Sequence, residues 1–287
     1  MSERKAILYV VLSSLIWSTS FPAVKLGLSY LPPILFIFLR FFLGTLFYIL
    51  LFFAFEKTFD PNIFKEKSIY LLGLVTHLSY IFQYLGQQYT FASRTALIIN
   101  LFVIWVPILA ILLLKEKPPR RFFLSFAFLL PGMFLLTTGK NVKEFFHSRI
   151  MVGDLIVLLA SFCWAFYVIL SKNLLKRYNS HEVNMITFGI TALLSLPTFL
   201  LLDKGTSIVL NWKSILLVVH LALNCTVLAY YLYVTGLKHA GAIKSTFFVS
   251  LEVLFSFIVA VISLGERWAP LELVGGAMML IAIALTI

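Results

Sequence analysis

The sequence predicts an all-α polytopic membrane protein whose ten transmembrane helices form two inverted five-helix repeats. Three observations lead to this prediction: the composition, a succession of long apolar runs, and an internal similarity between the two halves. Of the 287 residues, 61% are hydrophobic and only 12% are charged, whereas a soluble domain is about half apolar and about a quarter charged. We therefore expect the lipid bilayer to surround most of this chain.

Ten apolar runs follow one another along the chain, and each approaches the roughly 20 residues that a membrane-spanning helix needs. Short breaks rich in proline, glycine or charged residues separate the runs, and such residues disfavour a continued helix. No break is long enough to hold a soluble domain. The predicted helices cover residues 6–27, 34–55, 68–90, 95–114, 121–138, 151–172, 183–202, 214–237, 243–264 and 270–287.

The net charge of +11 indicates topology, because the cations lie mainly in the breaks between apolar runs. With the N-terminus inside, 14 of the 23 lysines and arginines lie in cytoplasmic segments, eight lie outside, and Arg40 lies within a helix. The positive-inside rule then predicts a multi-pass protein of the cytoplasmic membrane with both termini in the cytoplasm. No nucleic-acid partner is expected from this charge.

The two halves of the chain match each other at fixed offsets, which indicates a duplicated five-helix unit. An odd number of helices per unit makes the second copy enter the membrane from the opposite side, so the repeats are predicted to be inverted. The expected division is a first repeat at 1–138, a connecting loop at 139–150 and a second repeat at 151–287. The first apolar run resembles a secretory signal, but its counterpart in the second half predicts a retained helix. At offsets of 147 and 150, the matched residues that are not aliphatic include Trp17 with Trp164, Lys25 with Lys172, Tyr80 with Tyr230, Gly86 with Gly236 and Glu116 with Glu266.

Several motifs resemble those of EamA-type proteins in the drug/metabolite transporter superfamily. They are the stretch from Gly236 to Ala242, the helix end from Leu264 to Arg267, weaker counterparts in the first half, Arg40, and a tryptophan in the first helix of each half. The resemblance covers the whole chain and implies a ten-helix exporter or importer of small metabolites such as amino acids, nucleobases or sugars. The chain departs from the family pattern where Val253 replaces a frequent proline and where the first helix lacks a carboxylate.

Polar and aromatic residues within the predicted helices are the candidates for substrate binding. The third and eighth helices each carry a stripe of polar residues, and exposing such residues to lipid costs free energy. The two tryptophans either form aromatic walls of a central cavity or pack helix against helix. Asn100 either bonds to another helix or contacts the substrate. The predicted substrate-binding residues are Trp17, Tyr80, Gln83, Tyr84, Asn100, Trp164, Tyr230 and Tyr233.

Cations within and beside the helices have competing interpretations. Arg94 and Lys244 begin the fourth and ninth predicted helices, where a cation opposes the helix dipole. They either attract an anionic substrate group together with free backbone N–H groups or extend to the membrane interface. Arg40 either reaches outward or bridges to a neighbouring helix, which would be a structural role. Glu116 is interpreted as part of a loop-fixing ion pair.

Glu252 is the acidic residue that the sequence places deepest in a predicted helix. It lies nine residues past Ile243, about 14 Å along the helix, and so near the middle of a hydrocarbon core about 30 Å thick. A carboxyl group there must be protonated, paired with a cation, or hydrated in a water-filled cavity. Glu252 is therefore a candidate for proton coupling, and the rival interpretation is a permanently protonated acid that bonds to another helix.

The remaining motifs separate three classes of function. The inverted repeats favour a secondary transporter that moves a small metabolite, such as an amino acid or a related amphipathic compound, by alternating access. The alternative is a membrane-embedded enzyme or a receptor without transport activity. The sequence lacks a His-Glu-x-x-His metal pair and a Gly-x-Ser-x-Gly nucleophile elbow, so we expect no enzyme, no cofactor and no metal. Cys163 and Cys225 are predicted to be free thiols within the membrane.

Overall fold

The computed structural model describes residues 1–55, 59–138, 148–203, 207–264 and 269–286, and these ranges contain ten principal helices and no β-strand. Eight of them are long and apolar enough to cross a membrane, while α5 and α10 are shorter apolar helices. The predicted fold class is therefore confirmed. The helices are α1 (Glu3–Gly27), α2 (Pro33–Phe55), α3 (Lys67–Tyr89), α4 (Ala92–Leu114), α5 (Phe122–Thr138), α6 (Ser148–Leu174), α7 (Ser180–Leu202), α8 (Trp212–Ala240), α9 (Ala242–Val249 continued by Leu251–Leu264) and α10 (Pro270–Ala284).

Three of these helices are interrupted part-way along, at residues that the sequence did not mark as helix breakers. The interruptions lie at Thr19 in α1, at Asn100 in α4 and at Ser250 in α9. In each case the polar side chain donates to a carbonyl oxygen of the preceding turn, over 2.7 Å, 2.9 Å and 2.6 Å respectively. Such bonds compete with the helical backbone ladder and bend the helix. A fourth irregularity is the π-helical segment Leu221–Leu228 within α8.

The contacts between the two halves reproduce the internal sequence similarity. An added Cβ at Gly86 of α3 would lie 2.6 Å from Val157 and 2.7 Å from the Gly153 carbonyl oxygen of α6. An added Cβ at Gly236 of α8 would meet α1 in the same way, 2.7 Å from both Val10 and the Ala6 carbonyl oxygen. Both glycines therefore allow close helix approach at equivalent positions.

Two lysines at the ends of equivalent helices make the same kind of contact. Lys25 at the end of α1 donates to the carbonyl oxygens of Gln87 and Thr90, each over 2.7 Å. Lys172 near the end of α6 donates to the carbonyl oxygens of Leu237 and Lys238, each over 2.9 Å. A cation at a helix C-terminus satisfies unpaired carbonyl groups and suits the helix dipole. The duplicated lysines are thus explained by duplicated helix ends.

Contacts near the helix ends show which ends lie on the same side of the helix bundle. On the side of the N-terminus, Arg177 Nη1 lies 2.8 Å from Glu66 Oε1, and Lys244 pairs with Glu3. On the opposite side, the Ile34 amide donates to Asp203 over 2.8 Å. These contacts agree with ten successive crossings. The predicted outer loop at 139–150 lies outside the described residues except for the beginning of α6.

Replacing Gly236 by alanine is expected to destabilise the protein by about 1–3 kcal/mol, because overpacking a tight contact forces side chains and backbone to shift. The measurement is the thermal unfolding midpoint of the purified protein in detergent. Gly189→Ala is the matched control, because its added Cβ would lie 3.6 Å from Thr45, at ordinary contact distance. Equal midpoints for the two variants would contradict the close approach of α8 to α1.

Candidate functional site

A small cavity lies between the two halves, close to the interruptions of α1, α4 and α9. Its volume is about 30 Å³, which is room for a water molecule and far below the roughly 300 Å³ of a small-molecule site. In this conformation the cavity is too small for a metabolite. The lining residues are Trp17, Ser20, Phe21, Arg40, Tyr80, Gln83, Ile99, Phe102, Trp164, Val249 and Glu252.

The two tryptophans that the repeat relates meet at this cavity. Their rings are 5.6 Å apart and nearly perpendicular, at 84°, which is a favourable aromatic geometry. Trp17 Nε1 donates to the Cys225 carbonyl oxygen over 2.7 Å, while Trp164 stacks on Tyr167 at 4.5 Å. Each tryptophan thus packs against helices of the core and also lines the cavity.

The tyrosines of α3 and α8 form a layer behind the tryptophans. Tyr80 lines the cavity, and its hydroxyl lies 2.8 Å from the hydroxyl of Tyr230, its equivalent in the other repeat. Tyr84, Tyr230 and Tyr233 are fully buried in the core. Trp17 contacts both Tyr230 and Tyr233, with ring centres 5.0 Å and 5.1 Å apart. Of the six aromatic residues predicted to bind substrate, Trp17, Tyr80 and Trp164 line the cavity, whereas Tyr84, Tyr230 and Tyr233 do not line it and lie buried in the core.

Arg40 of α2 brings a buried positive charge to the cavity. The residue is only 1% exposed, and its guanidinium donates to Thr226 over 2.8 Å, Tyr84 over 3.1 Å and Tyr80 over 3.2 Å. It lies 4.7 Å from the centre of the Tyr80 ring, within cation–π range. Arg40 therefore bridges inward to α3 and α8 and does not reach outward to the membrane interface. Among the described residues, no carboxylate forms an ion pair with it.

Glu252 of α9 brings a carboxyl group to the same cavity from the second half. It follows the interruption at Ser250 and is 7% exposed. Its Oε2 accepts a hydrogen bond from Asn100 Nδ2 over 3.1 Å, which joins the interrupted regions of α4 and α9. Asn100 thus has the interhelical bond that one interpretation of the sequence predicted. Arg40 and Glu252 both line the cavity, yet they form no ion pair with each other in the described structure.

The cations at the beginnings of α4 and α9 are paired with carboxylates. Arg94 is bonded to Asp154 at the start of α6, and Thr90 donates to the same carboxylate over 2.8 Å. Lys244 is bonded to Glu3 at the start of α1. Neither lines the central cavity. The expected attraction of an anionic substrate therefore requires that these pairs separate.

Glu116 has a different partner from the one that the sequence suggested. Its carboxylate accepts hydrogen bonds from the backbone N–H of Ala242 over 2.9 Å and of Ile243 over 3.1 Å, at the beginning of α9. A carboxylate at a helix N-terminus satisfies unpaired amides and suits the helix dipole. Its counterpart Glu266 lies outside the described residues. Among the described residues, Glu116 forms no ion pair with a cation of its own loop, such as the adjacent Lys117.

Comparison with known proteins shows the family to which this chain belongs. The model of the EamA-like transporter family matches residues 4–138 and again residues 151–287. The chain belongs to the EamA-like transporter family. The two EamA matches cover both halves of the chain, each with its own five helices.

Relatives with similar sequences are named as transporters. An uncharacterized transporter of Archaeoglobus fulgidus is 29% identical over 289 residues, which cover 99% of this chain and 98% of that protein. The uncharacterized transporter YdfC of Bacillus subtilis is 26% identical over 281 residues, which cover 96% of this chain and 89% of that protein. This EamA protein is therefore a multi-pass membrane protein related to transporters.

A solved crystal structure has a similar fold. It aligns with a TM-score of 0.80 over 98% of this chain and 97% of the other, at 18% sequence identity. At that identity the likeness concerns the fold alone. The arrangement of helices found here thus also occurs in a protein of quite different sequence.

The sequence alone did not assign every residue that lines the EamA cavity. Tyr80, Gln83, Trp17, Trp164 and Glu252 were predicted and do line it. Arg40 was assigned a structural role, although a lone cation inside an apolar run is itself a sign of a polar interior. The other lining residues were not predicted as site residues and are Ser20, Phe21, Ile99, Phe102 and Val249.

Proposed function

We propose that this EamA protein is a secondary transporter for a small amphipathic zwitterion, such as an amino acid or a related compound. The observation that carries this proposal is that one basic and one acidic side chain, which form no ion pair with each other, line the same aromatic cavity between the halves. Arg40 belongs to the first half and Glu252 to the second. A ligand that touches both would hold the two repeats together.

The chemistry of the lining defines what the cavity can bind. A guanidinium recognises a carboxylate through paired N–H groups, and a carboxylate accepts hydrogen bonds from an ammonium group. The faces of Trp17 and Trp164 suit apolar, aromatic or cationic groups of the same ligand. Gln83 and Asn100 can add amide hydrogen bonds once the cavity widens, with Tyr84, Tyr230 and Tyr233 fixing the walls.

Transport follows from alternating access between the two inverted repeats. A cavity of about 30 Å³ cannot hold a metabolite, so the halves must move apart to admit one. The interruptions at Thr19, Asn100 and Ser250 lie beside the cavity and give α1, α4 and α9 points at which one end can move while the other stays. In the proposed cycle the cavity widens toward one side of the membrane and then toward the other.

Two equivalent ion pairs serve as gates in this proposal. Arg94 with Asp154 joins α4 to α6 on one side, and Lys244 with Glu3 joins α9 to α1 on the other. When either pair separates, its cation and the adjacent helix N-terminus become available to an anionic group of the substrate. Arg94 and Lys244 would then attract substrate on opposite sides of the membrane.

Glu252 is the proposed site of proton coupling. It is buried at the interface of the halves, it lines the cavity, and its bond to Asn100 crosses from one half to the other. A proton taken up from one side and released to the other would couple substrate movement to the proton gradient. The proposed organisation places the first repeat at 1–138, the connecting loop at 139–150 and the second repeat at 151–287, in the cytoplasmic membrane.

The proposed topology has both termini in the cytoplasm and the loop from Lys140 to Arg149 outside. A single cysteine introduced as Asn141→Cys is expected to react with a membrane-impermeant maleimide in intact cells. A single cysteine introduced as Ser2→Cys is expected to react only after permeabilisation. Cys163 and Cys225 are replaced by alanine in both variants. Labelling of both positions from the same side would contradict the topology.

Trp164→Phe is expected to reduce transport by roughly 2- to 12-fold, which corresponds to the loss of about 0.5–1.5 kcal/mol of aromatic contact. The larger ring is lost from the cavity wall while an aromatic side chain remains in the core. Trp212→Phe is the control, because Trp212 is 70% exposed and is not among the residues that line the cavity. Equal activities of the two variants would remove Trp164 from the substrate site.

The function is tested in two steps. A thermal-shift screen of the purified protein against a metabolite library identifies ligands, because a compound that binds only the folded state raises its stability. Uptake of each ligand is then measured in sealed proteoliposomes. Stabilisation by amino acids or other zwitterions, followed by uptake above that of protein-free vesicles, is the expected result. A protein that binds such a ligand without moving it would be a receptor, and the transporter proposal would fail.

A further inference from the structure

A second cavity lies at the membrane surface, away from the central site. Its volume is about 230 Å³, and it is formed by the α4–α5 loop of the first half and the α8–α9 junction of the second. Its lining contains the cations Lys117 and Lys244, the carboxylate of Glu116, and Pro119, Ala240, Gly241 and Ile243. The cavity is thus on the side of the N-terminus, at the point where Glu116 holds the beginning of α9.

The loop beside this cavity carries more positive charge than the described structure neutralises. Lys115, Lys117, Arg120 and Arg121 are all exposed, and none has an ion pair or a hydrogen bond from its side chain within the described residues. Glu116 is the acidic residue of the loop, and its carboxylate is engaged by the backbone of α9. Four cations therefore face the interface without a partner of opposite charge.

Apolar side chains flank this charged loop on the membrane side. At the end of α4, Leu112 is 69% exposed and Leu113 is 60% exposed; at the beginning of α5, Phe123 is 82% exposed. A ligand at this place meets cations at the surface and apolar groups just below it. That combination matches a phospholipid, with its phosphate at the level of the loop and its acyl chains along α4 and α5.

We propose that this cavity binds the headgroup of an anionic phospholipid. Lys117, together with Arg120 from the same loop, provides the charge, and the bound lipid holds the loop in the position from which Glu116 caps α9. The segment that the offset of 150 relates to this loop, residues 265–271, has a single cation in its sequence, Arg267. The site is therefore specific to the leaflet on the side of the N-terminus.

The experiment measures the thermal unfolding midpoint of the purified full-length protein in detergent. Short-chain phosphatidylglycerol is added in one series, short-chain phosphatidylcholine in a second and inorganic phosphate in a third. A midpoint that rises with phosphatidylglycerol, and stays constant with the other two, is the expected result. An equal rise with inorganic phosphate would overturn the assignment to a lipid, and an equal rise with phosphatidylcholine would overturn the role of charge.

Substitutions locate the site. The double variant Lys117→Gln with Arg120→Gln is expected to lose the rise with phosphatidylglycerol. The matched control is Lys67→Gln with Lys176→Gln, which removes two exposed cations on the same side, one at the beginning of α3 and one in the α6–α7 loop, and is expected to retain the rise. Loss in both variants, or in neither, would overturn the site. If the double variant does not fold, Lys117→Gln alone is compared with Lys176→Gln. Because these readouts are folding stabilities, they do not depend on the transported substrate.

Discussion

Replacing Glu252 by glutamine is expected to abolish proton-driven accumulation of substrate while substrate exchange across the membrane persists. The amide has nearly the same shape, and its oxygen can still accept the hydrogen bond that Asn100 donates over 3.1 Å. The contact between α4 and α9 is therefore retained. What is lost is the ability to bind and release a proton in the central cavity.

The measurement compares two kinds of transport in proteoliposomes. Accumulation driven by an imposed pH gradient is expected to fall to the level of protein-free vesicles, and exchange between equal substrate pools is expected to lose its pH dependence. Glu66→Gln is the control, because Glu66 pairs with Arg177, whose side chain is 74% exposed. Exposed ion pairs contribute about 0–1 kcal/mol. An unchanged pH profile in a folded Glu252→Gln protein would make Glu252 structural.

Replacing Arg40 by lysine is expected to weaken substrate binding by roughly 10- to 150-fold. A hydrogen bond to a charged group is worth about 1.5–3 kcal/mol, and each 1.4 kcal/mol corresponds to a factor of about ten. Lysine retains the charge but lacks the planar guanidinium that can bond several oxygens at once. The substitution also leaves some of the hydroxyl groups of Tyr80, Tyr84 and Thr226 without their donor, so stability is expected to fall as well.

A structural role of Arg40 is distinguished from substrate binding by the choice of ligand. The unsubstituted protein is expected to prefer a ligand with a free carboxylate over the corresponding amide, and Arg40→Lys is expected to reduce that preference. Arg177→Lys is the control, because it makes the same chemical change in a surface ion pair. If carboxylate and amide ligands lose the same factor in Arg40→Lys, Arg40 positions the aromatic layer and does not contact the substrate.

The fold was predictable because its main determinants are local. Each membrane helix requires its own apolar run, and duplication leaves matches such as Tyr80 with Tyr230 that survive in the sequence. The interruptions at Thr19, Asn100 and Ser250 were not predictable in the same way. Polar residues of these types also occur in uninterrupted helices, and the bend depends on whether the side chain bonds to the preceding turn.

The site was predictable where burial of an unusual residue was itself the signal. Glu252 was identified because a carboxyl group deep in an apolar helix requires protonation, a partner or water, and the tryptophans were identified because the repeat relates them. The environment of Arg40 was not predictable, since its partners include Tyr80 and Thr226, which are 40 and 186 residues further along the chain. The pairing of Arg94 with Asp154 likewise depends on the packing of α4 against α6, which spacing in the sequence does not reveal.

The proposed transport of a zwitterion through the cavity between the repeats is tested most directly by counterflow. Proteoliposomes are loaded with an excess of the unlabelled ligand that best stabilises the protein, and uptake of a trace of the labelled ligand is followed over time. We expect the label to rise transiently above its equilibrium level, and we expect Arg40→Lys to lower the initial rate at trace substrate. A label that never exceeds the level in protein-free vesicles, despite stabilisation by the same ligand, would contradict the account.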